Sequence, residues 1–227
     1  MRLFFAMLAL LVMGGPVMAR PAAKTDWTRT VTLARDGAYV LGNPRAPNRL
    51  AEYVSYTCSH CAAFVGEAHQ TLRDDWVRRG VMSIEVRNAV RDAFDLTAAL
   101  LARCGGPARF FAFHDALFAN QDAWMRQIEA FESTRPDSSN EDPAKVLVTI
   151  ADKTGLSALL AARGLPVATQ RACLSDKKAL ALVTAMANEA WDVRKIGGTP
   201  AFLLNGKMVD GAHNWAGLRP ALPAPSK

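Results

Sequence analysis

A chain of 227 residues, half of it hydrophobic and 21% charged, is long enough for one ordinary domain and too apolar for wholesale disorder. Lysine and arginine outnumber aspartate and glutamate by 27 to 21, and the excess is spread in runs no longer than pairs such as Arg78-Arg79, which argues against a nucleic-acid-binding arm. Four cysteines are too few for a disulfide-stapled scaffold, and past the N-terminus no stretch of about 20 apolar residues remains, which excludes a polytopic membrane protein.

In chain order, Arg2 is followed by an apolar run over 3–13, a break at Gly14-Gly15-Pro16, and small or tolerated residues at Val17-Met18-Ala19. This is the layout of a secretory signal peptide over 1–19, cleaved after Ala19. The alternative, an uncleaved anchor, has a core too short for spanning. The remaining cysteines then belong to an oxidising compartment, and the periplasm is the expected location. Residues 20–36 read as a tail and first strand, and 37–227 as the folded domain.

β-leaning segments at 28–33 and 38–41 flank an Asp36-Gly37 turn, and alternation over 49–56 predicts another strand. After Thr57 the period becomes helical, with Cys61, Val65, Ala68, Leu72 and Trp76 on one face, until Gly80 precedes a strand over 81–86. Helix is predicted over 95–132, interrupted at Gly105-Gly106-Pro107, and again over 144–153 and 169–195. Gly197-Gly198-Thr199-Pro200 breaks the chain. A hairpin at 201–209 turns on Asn205-Gly206, and a short helix at 214–222 follows.

The chemistry lies in Cys58-Ser59-His60-Cys61, two cysteines where a strand ends and a helix begins. Free N–H groups and the positive dipole end of a helix stabilise an anion. Cys58 at the cap position is the expected nucleophile and leaving group, and Cys61, one turn on and facing the core, the resolving thiol. His60 is positioned to offer a hydrogen bond or charge to the Cys58 sulfur. A zinc site is disfavoured, because Cys104 and Cys173 are isolated and His69, His114 and His213 are scattered, so no metal is expected. A structural disulfide would explain the sulfurs but not their placement at a helix start. In an oxidising compartment the leftover Cys104 and Cys173 are expected to pair and clip the helical block.

The segment Tyr53-Val54-Ser55-Tyr56-Thr57-Cys58-Ser59-His60-Cys61, with Gly197-Gly198-Thr199-Pro200-Ala201-Phe202, resembles the DsbA-type periplasmic thiol–disulfide oxidoreductases of the thioredoxin superfamily. The resemblance runs from about Gly42. It implies an α/β thioredoxin fold, a central mixed β-sheet flanked by helices, with a helical insertion at about 96–187 between its two halves. It further implies that Pro200 is cis and that Thr199 and Pro200 form the wall on which peptides dock. Ser59 departs from the best-known oxidases, which carry proline there. Glu52 is a solvated strand residue on the bland reading; the family's acidic residue at this position makes it a proton relay to Cys61.

The resemblance implies an oxidase that donates disulfides to cysteine-containing exported proteins and is reoxidised by a membrane-bound, quinone-linked partner; no organic cofactor is expected, and the chain is expected to be a monomer. An isomerase or reductase on the same fold is the alternative, as is a non-catalytic module that binds peptides or metal. The aromatic cluster around Phe110 and His114 reads as core; Arg87 and Arg91 follow the strand over 81–86 and are placed to approach the active site, with solvated surface as their default reading.

Overall fold

The computed structural model describes residues 25–134 and 140–225; the signal peptide expected over 1–19 and the start of the tail lie outside the described residues. Six strands, β1 (Val31–Leu33), β2 (Tyr39–Leu41), β3 (Asn48–Val54), β4 (Met82–Asn88), β5 (Ala201–Leu204) and β6 (Lys207–Met208), form one mixed sheet in the order β1-β2-β4-β3-β5-β6. Only the central pair is parallel, with Asn48 opposite Met82 and Val54 opposite Asn88. Parallel strands need a long crossover, and α1 (Ser59–Leu72) supplies it together with a widened helical turn, Arg73–Val77.

Central position buries both faces of these two strands. Every residue of β4 and residues 50–54 of β3 are buried, because both faces of the sheet are covered. The larger core lies between the sheet and α1 with the helices beyond it. A smaller one, made of Ala51, Tyr53, Ala89, Ala190, Ile196, Ala201 and Leu203, covers the opposite face. The expected solvated Arg87 lies in this second layer, 7% exposed, with Nη1 held by Asp36 at 2.8 Å and by Glu85.

Between β4 and β5 run α2 (Ala93–Arg103), α3 (Phe110–Ala119), α4 (Gln121–Glu132), α5 (Pro143–Lys153), α6 (Leu156–Ala161), α7 (Val167–Leu174) and α8 (Lys177–Asn188). Local chemistry sets their starts. Asp92, Asp142 and Asp176 each accept a hydrogen bond from an amide of the first turn of α2, α5 and α8. The helix expected over 169–195 is divided for that reason: the Asp176 carboxylate caps the amides of Lys178 and Ala179 and starts α8 anew. The helix expected through 132 also breaks at Asn120, whose side-chain amide donates to Ala116 O at 2.8 Å and closes α3. Residues 28 and 29, expected to open a strand, belong instead to a helical turn over Trp27–Arg29, because Asp26 accepts the Thr28 amide hydrogen bond.

Cys104 and Cys173 are joined in a disulfide, with their Cα atoms 5.8 Å apart across a sequence separation of 69. It ties the C-cap of α2 to α7. The hairpin turns as expected, with Asn205 and Gly206 both at positive φ. The last helix is shorter than its sequence pattern: α9 (Trp215–Leu218), capped by Asn214, passes into a tighter turn where Pro220 withholds an N–H. Among the described residues no helix is long and apolar enough to cross a membrane.

Candidate active site

Cys58 is the N-cap of α1, in extended conformation, and its carbonyl accepts hydrogen bonds from the amides of Cys61 and Ala62. Strand β3 delivers the chain to this point through residues 55–57, and the delivery segment is tightly fastened. Asp95 Oδ1 accepts the Tyr56 amide at 2.7 Å, and the Gln121 amide donates to Tyr56 O and Cys58 O at 2.6 and 2.9 Å. Arg91 donates from Nε to Ser55 Oγ and from Nη2 to Thr57 Oγ1, both at 2.9 Å. Asp95 is fully enclosed, and burial pushes its carboxyl up to about 7.

The two cysteines are reduced, buried and electrically unequal. The Cys58 thiol is held down to about 4, chiefly by a hydrogen bond from Cys61, against the opposing effect of burial. The Thr199 side chain, the Cys61 amide and the charge of Arg91 add to the depression. Cys61, wholly inaccessible, is pushed far above the ordinary thiol range by burial and by the adjacent Cys58 sulfur. When protonated, Cys58 Sγ donates to the carbonyl of Thr199 at 3.1 Å. The Thr199-Pro200 peptide is cis, and the pair leads directly into β5, which lies antiparallel to β3. Cys58, Cys61, Thr199 and Pro200, 138 residues apart in sequence at the nearest, are therefore one constellation.

His60 is exposed, and the groups with the largest influence on the Cys58 thiol are Cys61, Thr199 and Arg91. It is the second residue of α1, on the exposed side of the first turn. Arg91, surface by default but placed after the strand where it can approach the motif, is the charge that the fold brings in from the loop before α2.

Glu52 is not a solvated strand residue. It is fully buried, and its Oε2 lies 2.9 Å from His69 Nε2. Burial alone would lower the affinity of His69 for a proton, but the Glu52 and Asp115 carboxylates outweigh it and raise the imidazole to about 9. His114, by contrast, is held down to about 3 by burial and by His69, with Nδ1 2.9 Å from the Tyr56 hydroxyl. His69, His114 and Asp115 each bring a donor atom within 4.8 Å of the others, a spacing a metal could use. Arg73, however, occupies both Asp115 oxygens, at 2.9 and 2.7 Å. These histidines looked scattered in the sequence; α1 and α3 bring them together.

The inequality of the thiols has a direct chemical readout. In the reduced protein, iodoacetamide below pH 7 is expected to label Cys58 and to spare Cys61, since only a thiolate is a competent nucleophile. Peptide mass mapping checks it, and label placed mainly on Cys61 would reverse the assignment.

Residues 35–224 match the family described as thioredoxin. Among solved structures, the protein-disulfide isomerase of Novosphingobium aromaticivorans is 38% identical, with a TM-score of 0.76 over 80% of this chain and 93% of the other. The alpha-DsbA1 of Wolbachia pipientis is 26% identical, with a TM-score of 0.61 over 78% of each chain. A Rickettsia prowazekii protein, provisionally named a protein-disulfide oxidoreductase, is 28% identical over 77% of this chain. The chain spans 57% of the length of that curated relative.

Proposed function

This chain belongs to the thioredoxin family, and from that premise we propose that it is a protein thiol–disulfide oxidase acting on exported proteins. The observation that carries the reading is the opposite displacement of the two thiols at the start of α1, Cys58 down and Cys61 up. A substrate thiolate attacks the Cys58 sulfur of the disulfide form, and Cys61 departs and takes up a proton. The second substrate thiol then attacks the mixed disulfide, and Cys58 leaves as a stable thiolate. A leaving group held down to about 4 makes that second step easy and the reduced enzyme favourable.

In this reading Thr199 and Pro200 receive the substrate backbone beside the Cys58 sulfur, and Glu52 is the proton partner of Cys61. The helices between β4 and β5 are the insertion that divides the thioredoxin halves. The protein works in the periplasm as a monomer after loss of residues 1–19, and a membrane-bound partner restores the disulfide. The oxidising compartment is consistent with the Cys104–Cys173 bridge.

One observation favours a second reading. The Novosphingobium relative bears the name of an isomerase, and the same constellation serves disulfide reshuffling. The equilibrium potential of the Cys58–Cys61 pair against glutathione separates oxidase from reductase. A value near the about −120 mV of DsbA supports the oxidase, and one near the about −270 mV of thioredoxin sinks it. Reactivation of scrambled ribonuclease in glutathione buffer, at a rate matching its oxidation of reduced ribonuclease, would install the isomerase reading instead.

A further inference from the structure

Three polar atoms without a hydrogen-bond partner meet in the core behind the active-site helix: Glu52 Oε1, His69 Nδ1 and His114 Nε2. Their residues are 0, 3 and 0% exposed. Buried polar atoms are normally satisfied, and exceptions call for a reason. Glu52 and His69 touch through Oε2 and Nε2 at 2.9 Å, and the His69 and His114 rings stack with centroids 5.4 Å apart and planes within 10°. His69 lies on the same buried face of α1 as Cys61, two turns further on. Its other nitrogen, Nδ1, is 3.5 Å from Asp115 Oδ1, and the Asp115 side chain is 35% exposed. An acid in the core is thus joined through one imidazole to a carboxylate that reaches solvent.

We propose that His69 is a proton store that acts through Glu52 on the buried resolving thiol, with Asp115 as its outward counter-charge. The inference rests on the reading of Glu52 as the proton partner of Cys61. At rest the Nε2 proton of the His69 imidazolium faces the Glu52 carboxylate. Attack of the substrate thiolate on Cys58 breaks the Cys58–Cys61 bond, and its electron pair stays on Cys61. The Nε2 proton crosses to Glu52, and Glu52 delivers a proton to the Cys61 sulfur. The products are a Cys61 thiol, an unchanged Glu52 carboxylate and a neutral imidazole. Reoxidation by a disulfide partner runs the transfer backwards, so the proton is kept rather than drawn through the core at each turn.

The surroundings suit that task. From β3 comes the charge of Glu52, from α3 that of Asp115 together with the neutral His114, and from the turn after α1 that of Arg73, 2.7 Å from Asp115 Oδ2. Two carboxylates against one guanidinium hold the imidazole charged up to about 9. His114, held neutral, does not compete for the proton. The Phe64 ring stands edge-on to His69 and is tilted by 52° against Phe202, so hydrocarbon packs against the imidazole.

His69→Gln tests it, because a glutamine amide can still donate to Glu52 but carries no exchangeable charge. Single-turnover reduction of the oxidised full-length chain by a dithiol peptide, quenched in acid, is followed from pH 5 to 9. The rate at pH 7 is expected to fall about a hundredfold, the scale of lost general acid catalysis. The Cys58 thiolate titration, read at its ultraviolet absorbance, is expected to stay where it was. Rates within twofold of the natural chain at every pH overturn the proposal. Should His69→Gln not fold, Asp115→Asn decides: losing one carboxylate must move the alkaline limb of the rate profile to lower pH, and an unmoved limb overturns the store. Glu52→Gln separates the two layers of the argument. If it is slow while His69→Gln is normal, the store fails and the Glu52 role stands; if Glu52→Gln is itself normal, both fail.

Discussion

The reduced protein is expected to melt above the oxidised protein at pH 7, although disulfides ordinarily stabilise. A thiol whose value near 8.5 in the unfolded chain drops to about 4 on folding favours the folded reduced state. At pH 7 the gain spans the three units above the folded value, about 4 kcal/mol. The four-residue ring of the Cys58–Cys61 disulfide returns about 2 kcal/mol to the oxidised form by restricting its unfolded chain. The net of about 2 kcal/mol is worth roughly 4–8 °C in a chain of this size.

A depressed folded value fixes the sign of the pH dependence. The thiolate term is complete only above the unfolded value, shrinks as pH falls, and is gone below about 4. The two terms cancel near pH 5.5 on these magnitudes, roughly, and below that the oxidised form melts higher. The same 4 kcal/mol raises the two-electron potential by about 90 mV. Paired calorimetric scans from pH 5 to 8, on a chain with Cys104 and Cys173 replaced by alanine, check both the sign and the crossing. An oxidised form that melts higher at pH 7 would remove the ground for a strong oxidase. Replacing Arg91 with glutamine should narrow the gap, and replacing His60 with alanine should leave it nearly unchanged, given their placement around the sulfur.

Replacing Cys104 and Cys173 together with alanine is expected to cost about 4 kcal/mol of stability, the loop-entropy value for a closed segment of this length. That corresponds to about 10 °C in melting temperature. Turnover of a reduced peptide should stay within a few-fold, because the bridge joins α2 to α7 and neither cysteine touches the Cys58 sulfur constellation. A loss of activity that exceeds the loss of folded protein, measured on the same samples, would make the bridge part of the catalytic machinery.

Legibility in the sequence followed the range of each interaction. Asn205-Gly206 was readable because only a turn with positive φ at both positions suits that pair. The start of α1 at Cys58 was readable because the hydrophobic period changes there within a few residues. Glu52 and His69 are 17 residues apart on a strand and a helix, and nothing local shows that they meet. Arg91 reaches Ser55 and Thr57 across 36 and 34 residues, and by charge alone it was indistinguishable from a surface arginine. The interruptions at Asn120 and Asp176 were local but hidden, since side-chain capping inside a helical pattern leaves the apolar spacing intact.

The outer strands of the sheet bear on the proposed function. An oxidase of unfolded chains would meet extended backbone constantly, and an open sheet edge is a template for adding one more strand. Among the described residues the margins are β1, three residues long, and β6, two residues long, with Lys207 on the latter. Neither offers enough ladder to hold a passing polypeptide, and the long strands β3 and β4 are sealed in the middle. On the proposed reading, short edges of this kind keep encounters with substrate chains brief and favour release over co-aggregation.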